Sequence, residues 1–521
     1  MSIIQALEQA SWMKALYHSV PVEQAALYIV LTILFSLTLH ATAGYGKKSS
    51  LPIINPRKRF EFSNIKRVAD FKFNCRQLLQ KGRAMYPGEP YRMICPEGEM
   101  IVIPTRLVNE IRSEPALEFV GVSTDDSHAH LSGFEPFGIA AITTGVVNRH
   151  LNKVIGKLTR PLSQEAGLAL ADELPNSSSW STIKPTDYIL PIIVRVSSRI
   201  FLGEELCRNK DWIQASSEYA PAAFAAAAEI ETWPASLHPL VHWFLPRSQR
   251  ARACLEKARR VFEPLIKERS DAKASAQING DPNLSFDSSI EWFEKEFKHG
   301  YDPTVGQISL SMVAIHTTSE LLRETLVQIA NHPELFEPLR NEVLETLGIH
   351  GLNKTAIHNL KLMDSTIKEA QRLKPLLMAT MRRIAVKDVT LPSGLRLRKG
   401  QMLLVDNLHM LDSTYYDDPL KFDAYRFLRM RQTPGRENQS QLASTSVEHM
   451  GFGHGVHSCP GRFFAASEIK VMLCHLLLKY EWKLPDGYIP RPVDMGYLVV
   501  GDPQVTLMIR NRQPEIDIDS L

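Results

Sequence analysis

FGHGVHSCPG, residues 452–461, is the stretch of this 521-residue chain that decides its fold. Its glycines surround a single cysteine just before a helix predicted over Gly461 to Tyr480 from its apolar spacing. Proline suits the first position of a helix because its missing N–H would be unpaired there, so Pro460 makes Cys459 the predicted N-cap. Unpaired backbone N–H groups and the helix dipole favour a thiolate at that position, which predicts that Cys459 is an anionic ligand or a nucleophile.

The chemistry of this loop suits axial ligation of haem iron, because it offers a thiolate, an aromatic side chain at Phe452 and glycines that remove side-chain bulk. A buried free cysteine in a glycine-rich turn is the plainer interpretation of an isolated cysteine. A zinc site could combine His449, His454, His457 and Cys459. Structural zinc usually needs two or more thiolates, however, and the loop contains one cysteine.

The spacing F-x-x-G-x-x-x-C-x-G resembles the haem-binding loop of the cytochrome P450 superfamily, with matches at Phe452, Gly455, Cys459 and Gly461. The resemblance implies a haem b cofactor whose iron takes Cys459 as its metal ligand, with Phe452 and Gly461 beside the ring. It also implies cations for the haem propionates. The sequence offers Arg383 and His457, and leaves the choice open among four further residues, Arg149, His150, Lys153 and Lys157.

A second pattern lies upstream, where Glu369 and Arg372 occupy i and i+3 of one helix face, in a helix that Pro375 terminates. The pair resembles the family's E-x-x-R motif. Residues 422–427 (FDAYRF) resemble its F-x-P-x-R-F segment, with alanine in place of the proline. The resemblance implies that Arg426 joins Glu369 and Arg372 in a structural ion network that locks the loop beneath the haem.

A third pattern is the helix predicted over Val305 to Ala330, which contains no charged residue through Ser319 and is therefore expected to be buried. A core helix with hydroxyls bonded to the preceding turn would explain it. The four residues from Ala314 to Thr317 also resemble the family's distal motif A/G-x-D/E-T, with His316 in place of the acid. The resemblance implies two catalytic residues, Thr317 as the oxygen-side hydroxyl and His316 as a proton relay.

The run Ala25 to Ala43 has no charged residue and is long enough to cross a bilayer. We expect a transmembrane anchor at 25–43, a lumenal segment at 1–24, a proline hinge at 44–56 and the haem domain at 57–521. A signal peptide or a buried helix are the alternatives. Basic residues after the run place the catalytic domain in the cytoplasm, on a single-pass protein of the endoplasmic reticulum membrane. These residues are Lys47, Lys48, Arg57, Lys58 and Arg59.

Composition limits the remaining choices. The net charge of +3 is too balanced to suggest nucleic-acid binding, and six cysteines without a C-x-x-C favour a reducing compartment. Helical periodicity dominates, with a hairpin predicted over Arg92 to Pro104 and an exposed connection over Ile266 to Phe286. The predicted fold is mainly α with minor β: the cytochrome P450 fold, an anchor helix followed by one large helical domain.

The resemblance implies a membrane-bound monooxygenase that hydroxylates or repeatedly oxidises an apolar small molecule, with electrons from NADPH through NADPH–cytochrome P450 reductase. Within the family the motifs are most similar to fungal microsomal oxidases of secondary metabolism, among them ent-kaurene, gibberellin, indole-diterpene and meroterpenoid oxidases, so the expected substrate is terpenoid. A haem isomerase or dehydratase needing no reductase, and a haem sensor, are the alternatives. A basic face for the reductase is expected from Arg429, Arg431, Arg436, Arg462 and Lys470.

Overall fold

The computed structural model describes residues 50–61, 63–119, 128–279, 284–286, 288–297 and 300–521. The chain divides into two units, Met1–Pro52 and Ile53–Leu521. The predicted lumenal segment 1–24, the anchor 25–43 and the first part of the hinge lie outside the described residues. In the part that is described, no helix combines the length and the apolar character needed to cross a bilayer.

Helices make up most of the second unit. In chain order they are α1 Ile65–Met85, α2 Val108–Ile111, α3 Glu135–Gly138, α4 Ala140–Val146, α5 Asn152–Glu173, α6 Pro185–Leu202, α7 Glu204–Cys207, α8 Lys210–Ile230, α9 His238–Val241, α10 Pro246–Ile278, α11 Ser289–Glu296, α12 Pro303–Asn331, α13 Phe336–His350, α14 Lys354–Asn359, α15 Lys361–Leu373, α16 Arg426–Arg431 and α17 Arg462–Lys479. A π-helical turn, Val147–Leu151, joins α4 to α5.

Strands form small sheets beside the helices. They are β1 Tyr91–Cys95, β2 Gly98–Ile103, β3 Leu117–Glu118, β4 Ser181–Ile183, β5 Ala379–Ala385, β6 Val389–Thr390, β7 Arg396–Leu397, β8 Met402–Asp406, β9 Tyr480–Lys483, β10 Val493–Met495, β11 Leu498–Val500 and β12 Leu507–Asn511. The largest sheet has the order β1-β2-β8-β5-β3, in which β1 and β2 form the predicted hairpin and β2 runs parallel to β8. The fold is mainly helical with minor β, as the sequence predicts.

The central helix is α12, which packs against α6, α8, α10 and α15. Pro303 occupies its first turn and the Asp302 side chain accepts hydrogen bonds from the amides of Thr304 and Val305, so its start is capped. It ends at Asn331, shortly before Pro333. Contacts on nearly all sides bury most of its side chains, which explains why half of it carries no charge.

Two sequence expectations differ from the structure. The exposed connection predicted from Ile266 is wrong over its first half, because α10 continues as helix to Ile278. The polar and small residues of this stretch gave no clear apolar helical spacing. In the structure, Lys273 in this part of α10 forms an ion pair with Glu294 of α11 at 2.9 Å. The end of the predicted hinge also belongs to the folded unit, since the Ile54 amide donates to the Arg92 carbonyl at the edge of β1.

Candidate functional site

The loop around Cys459 is held by backbone hydrogen bonds within the quoted stretch. The Cys459 amide donates to the Phe452 carbonyl at 2.8 Å, and the Ser458 amide donates to the Gly455 carbonyl at 3.0 Å. Gly455 has a φ of +84°, and a β-carbon there would collide with the carbonyl of Arg112. Glycine is therefore required by the turn and by the close approach of another segment.

The helix that follows begins later than predicted. The N-cap of α17 is Gly461 and its first residue is Arg462, so the prediction that Cys459 is the N-cap is wrong. Burial raises the pKa of the Cys459 thiol, although the amides of Gly461 and Arg462 and the Arg462 guanidinium oppose that shift. A bound metal ion would deprotonate such a thiol outright, whereas the helix terminus alone does not.

Arg383 lies in β5 and is almost completely buried, with 2% of its surface exposed. Its Nη1 donates to the Arg382 carbonyl at 2.7 Å, but its Nε has no hydrogen-bond partner, and no carboxylate in the described part of the chain forms an ion pair with it. Burial lowers its pKa to about 10. His457 lies close enough that the Arg383 charge lowers the pKa of the imidazole, after a larger effect of burial. Two predicted propionate ligands therefore lie together.

The structure brings Glu369, Arg372 and Arg426 into one network. Arg372 donates from Nε and Nη2 to the two oxygens of Glu369, both at 2.8 Å, and Arg426 Nε donates to Glu369 Oε1 at 3.1 Å. Arg372 also donates to the carbonyls of Met410 and Pro419 at 2.7 Å. The network thus ties α15 to the segments that lead into the Cys459 loop, which matches a structural role.

Lys368 lies beside this network, and the sequence motifs do not identify it. It is fully buried and its Nζ donates to the carbonyls of Gln439, Gln441 and Ser444 at 2.7 to 3.1 Å. The three donors of an ammonium group are thus all used by the backbone ahead of the Cys459 loop. Its place immediately before Glu369 is the only sequence signal that could have found it.

Thr317 and Val313 lie one turn apart on α12, and both side chains are exposed although their helix is otherwise largely buried. Thr317 Oγ1 donates to the Val313 carbonyl at 2.9 Å, as the core-helix interpretation expects. The two side chains therefore share one exposed face of α12, as their i, i+4 spacing indicates. We call the open space that they face the distal space.

His316 faces a different neighbour. Burial lowers the pKa of its imidazole, and a hydrogen bond to the Ser217 carbonyl in α8 opposes that shift. Its Nε2 is buried and has no partner among the residues that the structure describes. The histidine is therefore neutral near pH 7 and lies between α12 and α8. Its Nε2 is available for a further hydrogen bond.

The other cations near α5 have separate surroundings. Arg149 Nε and His150 Nε2 contact the same carboxylate, that of Glu296, at 2.8 and 2.9 Å. Lys153 and Lys157 are exposed on α5. Of the four other candidate propionate ligands, Arg149 and His150 are thus already paired with a protein carboxylate, whereas Arg383 has no such pair among the described residues.

The sequence did not identify Arg112 or Asn152 as neighbours of the loop. The Arg112 carbonyl accepts a hydrogen bond from the Val456 amide at 3.2 Å, and Asn152 Nδ2 donates to the Pro460 carbonyl at 3.1 Å. Asn152 lies 308 positions before its partner Pro460, and Arg112 lies even further from Val456, so nothing local in the sequence marks them.

These residues fit a haem. A thiol lies in a loop with little side-chain bulk. A buried guanidinium, whose Nε has no partner among the described residues, lies beside a histidine. Those cations suit the two propionates of a haem, and Cys459 suits its iron. In the described ranges, no group of three or more His, Cys, Asp and Glu side chains could hold a metal ion, which removes the zinc interpretation for those residues.

Comparisons with known proteins agree with this geometry. Residues 146–508 match the family model described as cytochrome P450. The chain is 42% identical over 491 residues to the cytochrome P450 monooxygenase eqxH of Fusarium heterosporum, covering 94% of this chain and 95% of that protein. It is 37% identical over 471 residues to the cytochrome P450 monooxygenase TRI1 of Fusarium sporotrichioides, covering 89% and 86%.

A third relative is the cytochrome P450 monooxygenase hepE of Aspergillus oryzae, 38% identical over 494 residues that cover 93% of this chain and 90% of that protein. Among solved structures, the retinoic acid-bound cyanobacterial CYP120A1 superposes with a TM-score of 0.65 at 16% identity. The match covers 89% of this chain and 100% of that chain, and it shows the fold alone.

Proposed function

Because the chain belongs to the cytochrome P450 family and is a haem-thiolate monooxygenase, we propose that it hydroxylates or repeatedly oxidises an apolar, terpenoid intermediate of fungal secondary metabolism. The observation that carries the proposal is the Cys459 loop, with His457 beside a buried Arg383 that pairs with no carboxylate in the described part of the chain. When bound, the haem supplies a thiolate-ligated iron that activates dioxygen, which is chemistry that no protein side chain provides.

The residues of the haem site have different proposed roles. Cys459 would supply a thiolate ligand to the iron, Arg383 and His457 would neutralise the propionates, and Phe452 and Gly461 would lie beside the ring. The exposed Thr317 hydroxyl can hold a proton, and the neutral His316 imidazole between α12 and α8 can pass one through its Nε2, which has no partner among the described residues. Thr317 and His316 are therefore the proposed catalytic residues.

An apolar substrate suits the partly exposed apolar side chains of α12 and of the segments near it. Val313 is 50% exposed on α12, Met312 is half-buried beside it, and Leu376 and Val500 are half-buried in neighbouring segments. Covering such side chains with a hydrocarbon skeleton contributes about 25 cal/mol per Å² of apolar surface buried. A terpenoid would supply that surface and few competing polar groups.

Electrons are proposed to come from NADPH through NADPH–cytochrome P450 reductase. The five cations expected to form the docking face do not suit that role. Three of its five cations already have carboxylate partners, in the pairs Arg429–Asp423, Arg436–Glu448 and Lys470–Asp364. Lys470 is also buried. A side-chain cation that already neutralises a carboxylate contributes little to the long-range attraction of an acidic partner.

The helix α5 offers a better docking surface. Lys153, Lys157 and Arg160 are exposed at i, i+4 and i+7 of this helix, and Asn152 in its first turn contacts the Pro460 carbonyl. The three cations therefore form one charged stripe close to the Cys459 loop. An acidic reductase docked on that stripe would place its electron donor near the thiolate side of the haem.

Membrane attachment is proposed through the anchor at 25–43, on the endoplasmic reticulum, with the catalytic domain in the cytoplasm. Four large apolar side chains between α8 and α10 support contact with a lipid surface, since each exposes 44 to 73% of its area. They are Trp233, Leu240, Trp243 and Phe244.

The test is metabolite profiling of a deletion strain, followed by feeding of the accumulated intermediate to microsomes that contain the protein and the reductase. We expect a product that is formed only with NADPH and that carries one ¹⁸O atom from ¹⁸O₂ per oxidation. Conversion without NADPH, or without label, would contradict the proposed reaction. The double variant Lys153→Glu/Lys157→Glu should slow reductase-supported turnover at low salt, whereas Arg429→Glu should have a smaller effect.

A further inference from the structure

Glu320 joins three parts of the chain that meet beside the distal space. It lies on α12, three residues after Thr317, and its Oε1 accepts a hydrogen bond from the Gly501 amide at 2.7 Å. The same oxygen pairs with Lys374 Nζ, which lies just after α15. Its Oε2 accepts from Arg323 Nη2 at 2.6 Å and from Arg323 Nε at 3.1 Å.

The two segments bound to Glu320 are also bound to each other. The Met378 amide donates to the Tyr497 carbonyl at 2.8 Å, and the Val499 amide donates to the Leu376 carbonyl at 3.0 Å. We call residues 376–378 and 497–501 together the distal wall. Because backbone hydrogen bonds join its two segments, contacts that hold Lys374 and Gly501 against α12 also hold the whole distal wall in place.

The distal wall continues directly to the haem-binding residues. Residue 378 is followed by β5, in which Thr380 Oγ1 lies 4.0 Å from the position that a β-carbon on Gly453 would occupy. Arg383 lies three residues further along this strand. A displacement of the wall relative to α12 would therefore also move β5 relative to the helix face that carries Thr317.

Packing at this junction is tight. A β-carbon on Gly501 would collide with the Arg323 guanidinium and would lie 3.1 Å from Glu320 Oε1. Burial alone would raise the pKa of Glu320, but the charges of Lys374 and Arg323 and the Gly501 amide lower it below its ordinary value. The group is therefore a carboxylate at neutral pH, with its partners held by charge as well as by hydrogen bonds.

We propose that Glu320 is a positioning residue that sets the shape of the substrate cavity, by holding the distal wall against α12 through Gly501, Lys374 and Arg323. The inference rests on the proposed function for the nature of the substrate, but not for the geometry of the wall. Among the described residues, the polar partners of Glu320 are Gly501, Lys374 and Arg323, and Cys459 is not one of them. It acts through the residues that it holds.

Glu320→Gln tests the proposal, because glutamine keeps the size of the side chain and removes the charge that Lys374 and Arg323 share. The purified holoenzyme is titrated with two iron ligands of different size, imidazole and 4-phenylimidazole, and the shift of the haem spectrum gives each dissociation constant. We expect a normal Soret band near 450 nm for the reduced carbon monoxide complex, an imidazole affinity within twofold of wild type, and at least fivefold weaker binding of 4-phenylimidazole.

Two further variants keep the result decisive. Glu324→Gln is the matched control, because Glu324 is a buried acid one turn later on α12 that lies 3.8 Å from Lys374 and is not bonded to Gly501; both affinities should stay within twofold. Gly501→Ala leaves the carboxylate intact and displaces the wall, so it should reproduce the loss for 4-phenylimidazole. If Glu320→Gln fails to bind haem, the affinity of Gly501→Ala for 4-phenylimidazole tests the proposal by itself.

The proposal is overturned if haem-loaded Glu320→Gln or Gly501→Ala binds 4-phenylimidazole within twofold of wild type. It is also overturned if Glu324→Gln gives an equal loss, since that would indicate a general effect of charge on α12. Failure to find a terpenoid product would contradict the proposed substrate and leave these ligand affinities unaffected, so the two failures are distinguishable.

Discussion

Arg372 donates two parallel hydrogen bonds of 2.8 Å to the Glu369 carboxylate, and neither side chain is exposed to solvent. A bidentate pair of this kind is among the strongest polar contacts in proteins. The stabilisation that the pair provides depends on both partners, because either side chain alone would be a buried charge without a counter-charge.

Glu369→Ala should therefore destabilise the haem-loaded fold by about 3–5 kcal/mol, since it leaves Arg372 and Arg426 without their shared counter-charge. The measurement is the yield of protein with the 450 nm carbon monoxide band, normalised to total protein. Asp486→Ala is the control, because that side chain is 99% exposed. Normal haem content with slower turnover would contradict the structural role.

Cys459→Ser should abolish the 450 nm carbon monoxide band and the monooxygenase activity, because a serine hydroxyl does not supply a thiolate to the iron. Cys254→Ala changes another free cysteine, one buried in α10, and should keep the band. A Cys459→Ser protein that retains the band would disprove the ligand assignment.

Thr317→Ala should uncouple the enzyme, so that NADPH consumption continues while hydrogen peroxide replaces much of the organic product. A loss of about 10²-fold in product formation is the order expected for removing a positioned proton donor. The ratio of product to NADPH consumed is the quantity to measure.

His316→Ala should lower the same coupling ratio, by less than Thr317→Ala, because the imidazole is shared with the Ser217 carbonyl of α8. His316→Gln, which can still accept and donate hydrogen bonds, should restore part of the coupling. Unchanged coupling in His316→Ala would mean that this histidine only packs between the two helices.

Glu468 should make the protein less stable as the pH rises. The group is fully buried in α17, and among the described residues it accepts one hydrogen bond, from Ser197; burial raises its pKa to about 8. A raised pKa in the folded state means that the folded protein binds the extra proton. The stabilisation is complete below the unfolded value near 4.5 and is lost as the pH rises through about 8.

Glu468→Gln removes this dependence and should gain about 2–4 kcal/mol of relative stability at pH 8 compared with pH 5, given about 1.4 kcal/mol per unit of pKa shift. Thermal unfolding of the haem protein followed by the Soret band at both pH values measures it. Equal effects of the substitution at pH 5 and pH 8 would show that Glu468 is ionised in the fold.

Four N-x-S/T sequons test the topology: Asn176, Asn283, Asn353 and Asn438. Asn353 and Asn438 are exposed, and Asn283 lies outside the described residues. A cytoplasmic domain should carry no sugar at any of them, so endoglycosidase should leave the mass unchanged and protease should digest the domain in sealed microsomes. Sugar on any of the four would place the domain in the lumen and remove its access to a cytoplasmic reductase.

The sequence by itself determined the features that are encoded locally. The spacing of Phe452, Gly455, Cys459 and Gly461 lies within one loop, and the Glu369–Arg372 pair lies within one helical turn. Such spacings fix geometry directly, because a turn or a helix places those side chains relative to one another wherever the element packs. The same reasoning gave the helical class, the hairpin of β1 and β2, and the burial of α12.

Only the tertiary structure decided which charges remain free and which segments are joined. It pairs Lys470 with Asp364 and leaves Arg383 without a carboxylate among the described residues, a difference that the sequence around them does not indicate. It also joins Glu320 to Gly501 across 181 positions. Coulomb energies and hydrogen bonds depend on distances of a few ångströms, and for residues far apart in the chain those distances are set by the packing of whole elements.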